Sequence, residues 1–250
     1  SDMQLATAVG NGSTLQEDFR RRWLEPAGKK LAAVLDYSIG ASIYKQVSLF
    51  GGTPGTVLND KQVLLDSNAR LDNLGVPRDG ERLAALSPMA HSKLVGGMSG
   101  MFNDTKTISE QNKTGLLKTY LGNDFLMSQN LPTHTVGALG GTPLVNGANQ
   151  GITNTGSTDN PRADYTDLLT KGWTAAAGNR LRAGDVITLA NVFEVNPETK
   201  QSTGVLRNFV VLNDAASDAS GNATVRISPA IIAVGAYQNF VFGFLFAVGV

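Results

Sequence analysis

The sequence predicts an α+β fold built in two parts, and three observations carry that reading. Helical periodicity dominates the first part, short β-branched runs between turn residues dominate the second, and the composition changes between them near Pro132. Residues 1–132 hold 27 charged side chains, whereas residues 133–250 hold 15 and open on a glycine-rich, almost uncharged stretch, as at a domain junction.

The first element is a long helix. Thr14-Leu15-Gln16-Glu17 has the form of a capping box, which satisfies the free amides of a helix start. From there Leu15, Phe19, Trp23, Leu24, Ala27, Leu31, Leu35, Ile39 and Ile43 recur every three or four residues. That spacing places them on one face, with Trp23 and Leu31 expected in the core. Pro26 should bend the helix about one turn in, because proline lacks the amide and its ring crowds the preceding turn. The run Gly51-Gly52-Thr53-Pro54-Gly55 ends the segment. A second helix is predicted from about Asp60 to Leu74, stopped by Gly75-Val76-Pro77, and Glu81–Leu86 suits a buried strand. Ser87-Pro88 pairs an N-cap with proline at the first helical position, so a third helix should run to about Phe102. A strand and turn within Gly115–Pro132 close this part.

The second part reads as strands and loops. Gly137–Asn160, with six glycines and one charge, is expected to be irregular. Asp185–Leu189 and Ala223–Ile227 read as strands. Between them NVFEVNPETKQSTGVLRNFVVLND (Asn191–Asp214) reads as a long hairpin: Asn196-Pro197 starts the turn, and Gly204 can take a positive φ where the second strand begins. Strands at this spacing suit a small barrel or sandwich. In the tail, Phe240, Phe242, Phe244 and Phe246 alternate with Val241, Gly243, Leu245 and Ala247. A strand would gather the phenylalanines on one face, so this one should be buried as a central strand or against another subunit.

Chemistry-bearing patterns are scarce. Twenty-one basic side chains balance twenty-one acidic ones, so no net field draws the chain to nucleic acid or anionic lipid. The absence of cysteine removes disulfides, thiolate nucleophiles and Cys-ligated zinc. GGTPGTVLNDK lacks the GK[ST] ending of a phosphate loop, GGMSGMF lacks the dinucleotide spacing, and there is no GxSxG elbow. His91 and His134 are the only histidines and have no HxxxH partner; His91 reads as a packed or surface residue and His134 as a hinge residue rather than a base. Asp164 and Asp167 read as solvated loop acids. No enzyme, metal site or cofactor is implied. Arg20, Arg21, Arg22, Lys29 and Lys30 form a basic stripe on the long helix, read either as a solvated face or as a phosphate- or subunit-contacting one. The only long apolar run, Phe240–Val250, is too short to span a bilayer as a helix, so no membrane partner is expected.

Seven blocks in order carry a family resemblance. Among them are FRRRWLEPAGKKLAAVLDYSI (Phe19–Ile39), LFGGTPGT (Leu49–Thr56), SQNLPTHTVGALGGTPLVNGA (Ser128–Ala148) and LRAGDVITLANVFEVNPETKQSTGVLRNFVV (Leu181–Val211). The sequence resembles the major capsid (coat) proteins of tailed bacteriophages, of the short-tailed-phage type with an inserted β-barrel. The resemblance implies a capsid-fold core over 1–132, with a spine helix at about 14–47 and a portion of the axial domain at 51–132. It implies an inserted β-barrel over 133–236; the alternation in the sequence adds a tail strand over 237–250 whose return to the core is left open. It also implies a shell subunit forming pentamers and hexamers around double-stranded DNA, with a scaffolding protein and a portal as further partners. The subunit would belong to the virion and assemble in the bacterial host cytoplasm. Asp159, Arg162 and Asp164 fall where the family uses a loop between capsomers. FVFGFLFAVGV (Phe240–Val250) matches none of the family's blocks. The other reading the residues allow is a β-rich binding module, such as a decoration or adhesion domain.

Overall fold

The computed structural model describes residues 17–52, 56–98, 119–148, 150, 165–175, 178–233, 235 and 237–242. They form three helices and eleven strands, an α+β architecture.

The long helix is α-helical over 17–19, widens into a π turn, Arg20–Leu24, in which the Glu25 amide bonds the Arg20 carbonyl, and continues as α1, Glu25–Ile43. Pro26 accounts for the π turn: the wider ring ahead of it removes the clash that proline makes with the carbonyl four residues back. A 3₁₀ turn, Tyr44–Gln46, ends the helix. Its capping box, Thr14–Gln16, lies outside the described residues.

Helix α2, Lys61–Asn73, is capped by Asp60, whose carboxylate accepts from the Gln62 amide. Strand β1, Leu83–Leu86, leads into α3, Pro88–Met98, where the Ser87 hydroxyl accepts from the Ala90 amide. Strands β2, Thr119–Tyr120, and β3, Asn123–Met127, complete a sheet of order β1-β3-β2 with β1 and β3 parallel. Leu64 of α2, Leu94 of α3 and Phe125 of β3 form its small core.

The second sheet holds six strands in the order β11-β7-β8-β10-β5-β4, all antiparallel. They are β4, Gly141–Val145; β5, Thr166–Trp173; β7, Val186–Val195; β8, Ser202–Val211; β10, Ala223–Ser228; and β11, Phe240–Phe242. Two short strands, β6, Asn179–Leu181, and β9, Ala215–Ala216, pair beside them. Leu168, Val192, Phe209, Val211, Val225, Ile227 and Phe240 build the larger core here.

Four expectations need correction. Trp23 and Leu31 are not in a core: they are 58% and 72% exposed, and α1 and the π turn bury no residue. Periodicity reports that a face is apolar; it does not say what covers it. The glycine-rich run is not wholly irregular, because β4 lies in it. Glycine permits that pairing: a Cβ on Gly141 would meet the Gly172 carbonyl oxygen at 2.3 Å, and one on Gly172 would meet that of Thr142 at 2.5 Å. Asp185–Leu189 and Asn191–Val195 are not separate strands but one, β7, kinked where Asn191 takes φ 61° and the register with β8 shifts. Finally, among the described residues β11 is an edge strand and not the central one of the first alternative, with Phe240 buried and Phe242 63% exposed; Phe244 and Phe246 lie outside the described residues. The hairpin tip is as expected, with the Asn196 carboxamide oxygen accepting from the amides of Glu198 and Thr199 and Gly204 at φ 76°.

Candidate functional site

Three features merit weighing as sites: a seam between helix and sheet, an apolar cavity and the bare face of α1. The seam follows from a match of two periods. Helix positions four apart rise about 6 Å, close to the advance of two extended residues. Hence Asp36, Gly40 and Tyr44, on one side of the helical segment, meet Asn130, Pro132 and His134 of the crossing segment between β3 and β4. Asn130 Nδ2 donates to Asp36 Oδ2 at 3.3 Å, and a Cβ on Gly40 would come within 3.3 Å of the Pro132 ring. The His134 ring packs edge-on to the Tyr44 ring, with centroids 5.5 Å apart.

His134 then joins the helix end to β7. Its Nε2 lies 2.6 Å from Asp185 Oδ1 and its Nδ1 lies 3.3 Å from the Tyr44 hydroxyl. A carboxylate can only accept, so Nε2 carries the proton, while the Tyr44 hydroxyl at Nδ1 can donate to a neutral ring or accept from a charged one. Asp185 is buried, and its Oδ2 accepts from the amides of Gly137 at 3.1 Å and Arg182 at 2.7 Å. With both ring nitrogens engaged, His134 is held as a connector and has no nitrogen directed at a substrate. Sequence reasoning placed His134 at a hinge but missed Tyr44 and Asp185. The signal was present in Arg182-Ala183-Gly184-Asp185, a turn closed by its own aspartate.

A second junction lies beyond the helix end. With its amide oxygen turned toward the donors, Asn208 of β8 accepts from the Phe50 amide at 3.2 Å and Arg70 Nη1 at 2.5 Å. Beside it Glu194 is buried against Arg207, with Nη1 to Oε1 at 3.3 Å. Burial pushes the Glu194 carboxyl above its ordinary range, and the charges of Arg207 and Arg70 oppose that shift.

The cavity, about 1110 Å³, lies on the core side of the six-stranded sheet and is lined by Leu168, Trp173, Ile187, Val225 and Phe240 among others. Among the described residues no titratable side chain lines it. Asp167 belongs to β5 rather than to a solvated loop. Its two oxygens take the Arg226 guanidinium at 2.7 and 2.9 Å, and that group stacks 3.8 Å over the Tyr165 ring. Among the described residues no cluster of His, Asp or Glu could hold a metal ion, and no helix is long and apolar enough to cross a membrane. His91 is buried in α3.

Of the residues singled out by sequence, Asp159, Arg162 and Asp164 lie outside the described residues. The basic stripe is exposed, and part of it is locally compensated: Arg20 lies 3.8 Å from Glu25 and Arg22 lies 3.8 Å from Asp18. Beside the stripe stands the largest apolar surface of the helix, with Trp23, Leu24, Leu31, Val34, Leu35, Ile39 and Ile43 exposed. Single exposed apolar residues are ordinary; a contiguous set along one helix marks a surface that something else covers.

Comparison with known families finds one matching model, described as P22 coat protein - gene protein 5, over residues 6–239. No curated protein matches the chain.

Proposed function

Because the chain belongs to the P22 coat protein family and so is a structural subunit of a phage capsid, we propose that copies of it assemble as pentamers and hexamers that close a shell around double-stranded DNA. The observation that carries this reading is the apolar stripe from Trp23 to Ile43, which the described residues leave uncovered. A subunit that completes its burial in an assembly needs such a surface; an isolated binding module does not.

The finer organisation follows the same reading. Residues 14–47 serve as the spine helix of the capsid fold, 51–132 contribute to the axial domain, 133–236 form an inserted β-barrel, and 237–250 supply a tail strand. The two separate hydrophobic clusters support the division near 132, while β11 of the tail pairs with β7 and joins the sheet of the inserted part. Asp159, Arg162 and Asp164 contact the neighbouring capsomer. Arg21, Lys29 and Lys30, without the local ion pairs of Arg20 and Arg22, face a neighbouring subunit or packaged DNA without sequence preference. A scaffolding protein and a portal direct assembly in the host cytoplasm. Negative-stain imaging and light scattering of the full-length protein, alone and with its scaffolding protein, test the proposal. Capsomer- or shell-sized particles are expected; a monomer at every concentration and in both conditions would overturn it.

A further inference from the structure

Tyr44, His134 and Asp185 come from the end of a helix, the crossing segment and the first turn of β7, and nothing in shell formation as such requires them to meet. We propose that this contact is a releasable lock: closed, it fixes the helical part against the six-stranded sheet; open, it lets the two reorient while each stays folded. The inference goes beyond the coat-subunit reading and stands without it.

The construction of the contact argues for a lock rather than a piece of core. The six-stranded sheet has one hydrophobic cluster and the α2–α3 part with β1–β3 has another; neither includes a residue of α1, and none of the three residues belongs to either. The contact is polar and one ring deep, so opening it exposes a half-buried imidazole rather than an apolar interior. The receiving side is built in advance, since Asp185 Oδ2 is already held by the amides of Gly137 and Arg182 and leaves Oδ1 for the ring. The socket itself is the side chain that Gly184 lacks. At φ 102° a Cβ there would stand 2.9 Å from Tyr44 Cε2 and 3.2 Å from His134 Cε1 and Nδ1. On the far side of the crossing, the bonds from Phe50 and Arg70 to Asn208 remain when the ring leaves and act as the pivot.

The absence of cysteine makes the test clean. Spin labels are placed on cysteines at the exposed positions Lys29 and Lys171 of the full chain, one on the helix and one on β5. Their distance distribution is measured by pulsed electron spin resonance in the parent, in His134→Leu and in Gly184→Ala. Hydrogen exchange of β8 and β10 reports in parallel whether the sheet stays folded. The lock predicts one narrow distance in the parent and a broadened or second population in both variants, with β8 and β10 protected as in the parent. A distribution already broad in the parent overturns the proposal, as does one that stays narrow in the variants. Loss of sheet protection together with the broadening also overturns it, because His134 would then be a structural part of the sheet.

Discussion

The six-stranded sheet and helix α1 both announce themselves as apolar patterns, yet only the sheet covers its own. Phe209, Val211, Val225 and Ile227 are fully buried in the core on one face of the sheet, while every large apolar side chain from Trp23 to Ile43 is largely exposed. Only β7 and β8 are joined by a short hairpin; β5 with β10 and β7 with β11 pair across long stretches of sequence, and the ladder gives the apolar side chains of one face neighbours from several strands. A lone long helix has no such guarantee. The difference teaches that amphipathic period measures a demand for burial and that topology decides where the demand is met.

The comparison breaks most visibly at Phe209. Phe209→Ala should cost about 3–5 kcal/mol in denaturant unfolding, because it empties a closed site in the sheet. Leu31→Ala should change the same measurement by less than about 0.5 kcal/mol while weakening self-association. Equal losses at the two positions would mean that α1 is covered within the subunit. A charge sharpens the contrast: Trp23→Asp should leave the unassembled subunit folded and soluble and reduce the yield of assembled particles.

Glu194 tests the junction between the two regions. Its folded carboxyl is raised above the ordinary 4.5 by burial, so the folded state holds this proton more tightly than the unfolded one. Its contribution to stability is therefore complete below 4.5 and is lost as pH rises through the raised value. Glu194→Gln should remove this component from the pH profile of unfolding; an unchanged profile would show that Arg207 compensates the charge fully.

The smallest effect is expected at Asp72. Hydrogen bonds from Arg78 and Arg82 hold its carboxyl down to about 2, and Arg82 also donates to the Val76 carbonyl at 2.7 Å. Here the sign reverses: the contribution is present above the ordinary 3.8 and is lost as pH falls through about 2. A carboxyl titration by NMR with its midpoint near 3.8 would remove the cluster from the account.

How much could be read beforehand depended on how local the cause was. Ser87 caps its helix as its sequence suggests, and Asn196 closes the hairpin tip, because these bonds join residues two or three apart. Strand β4 was hidden because its pairing depends on Gly141 and Gly172, which no residue in the run itself announces. The kink at Asn191 was read as a strand boundary, since a bulge and a break look alike in one dimension. Tyr44 and Asp185 were missed for the same reason on a larger scale: they are brought to His134 from 90 and 51 residues away. Only the spacing of 36, 40 and 44 against 130, 132 and 134 hinted at the seam.

The central claim is that the α1 stripe is bare in the subunit and covered in the shell, and Trp23 reports on it directly. In a Trp173→Phe background it is the only tryptophan, so its emission and its quenching by acrylamide can be followed before and after assembly. Solvent-exposed emission and strong quenching are predicted in the unassembled subunit, with a blue shift and protection once shells form. Emission already blue-shifted and protected in the unassembled subunit, unchanged on assembly, would contradict the account.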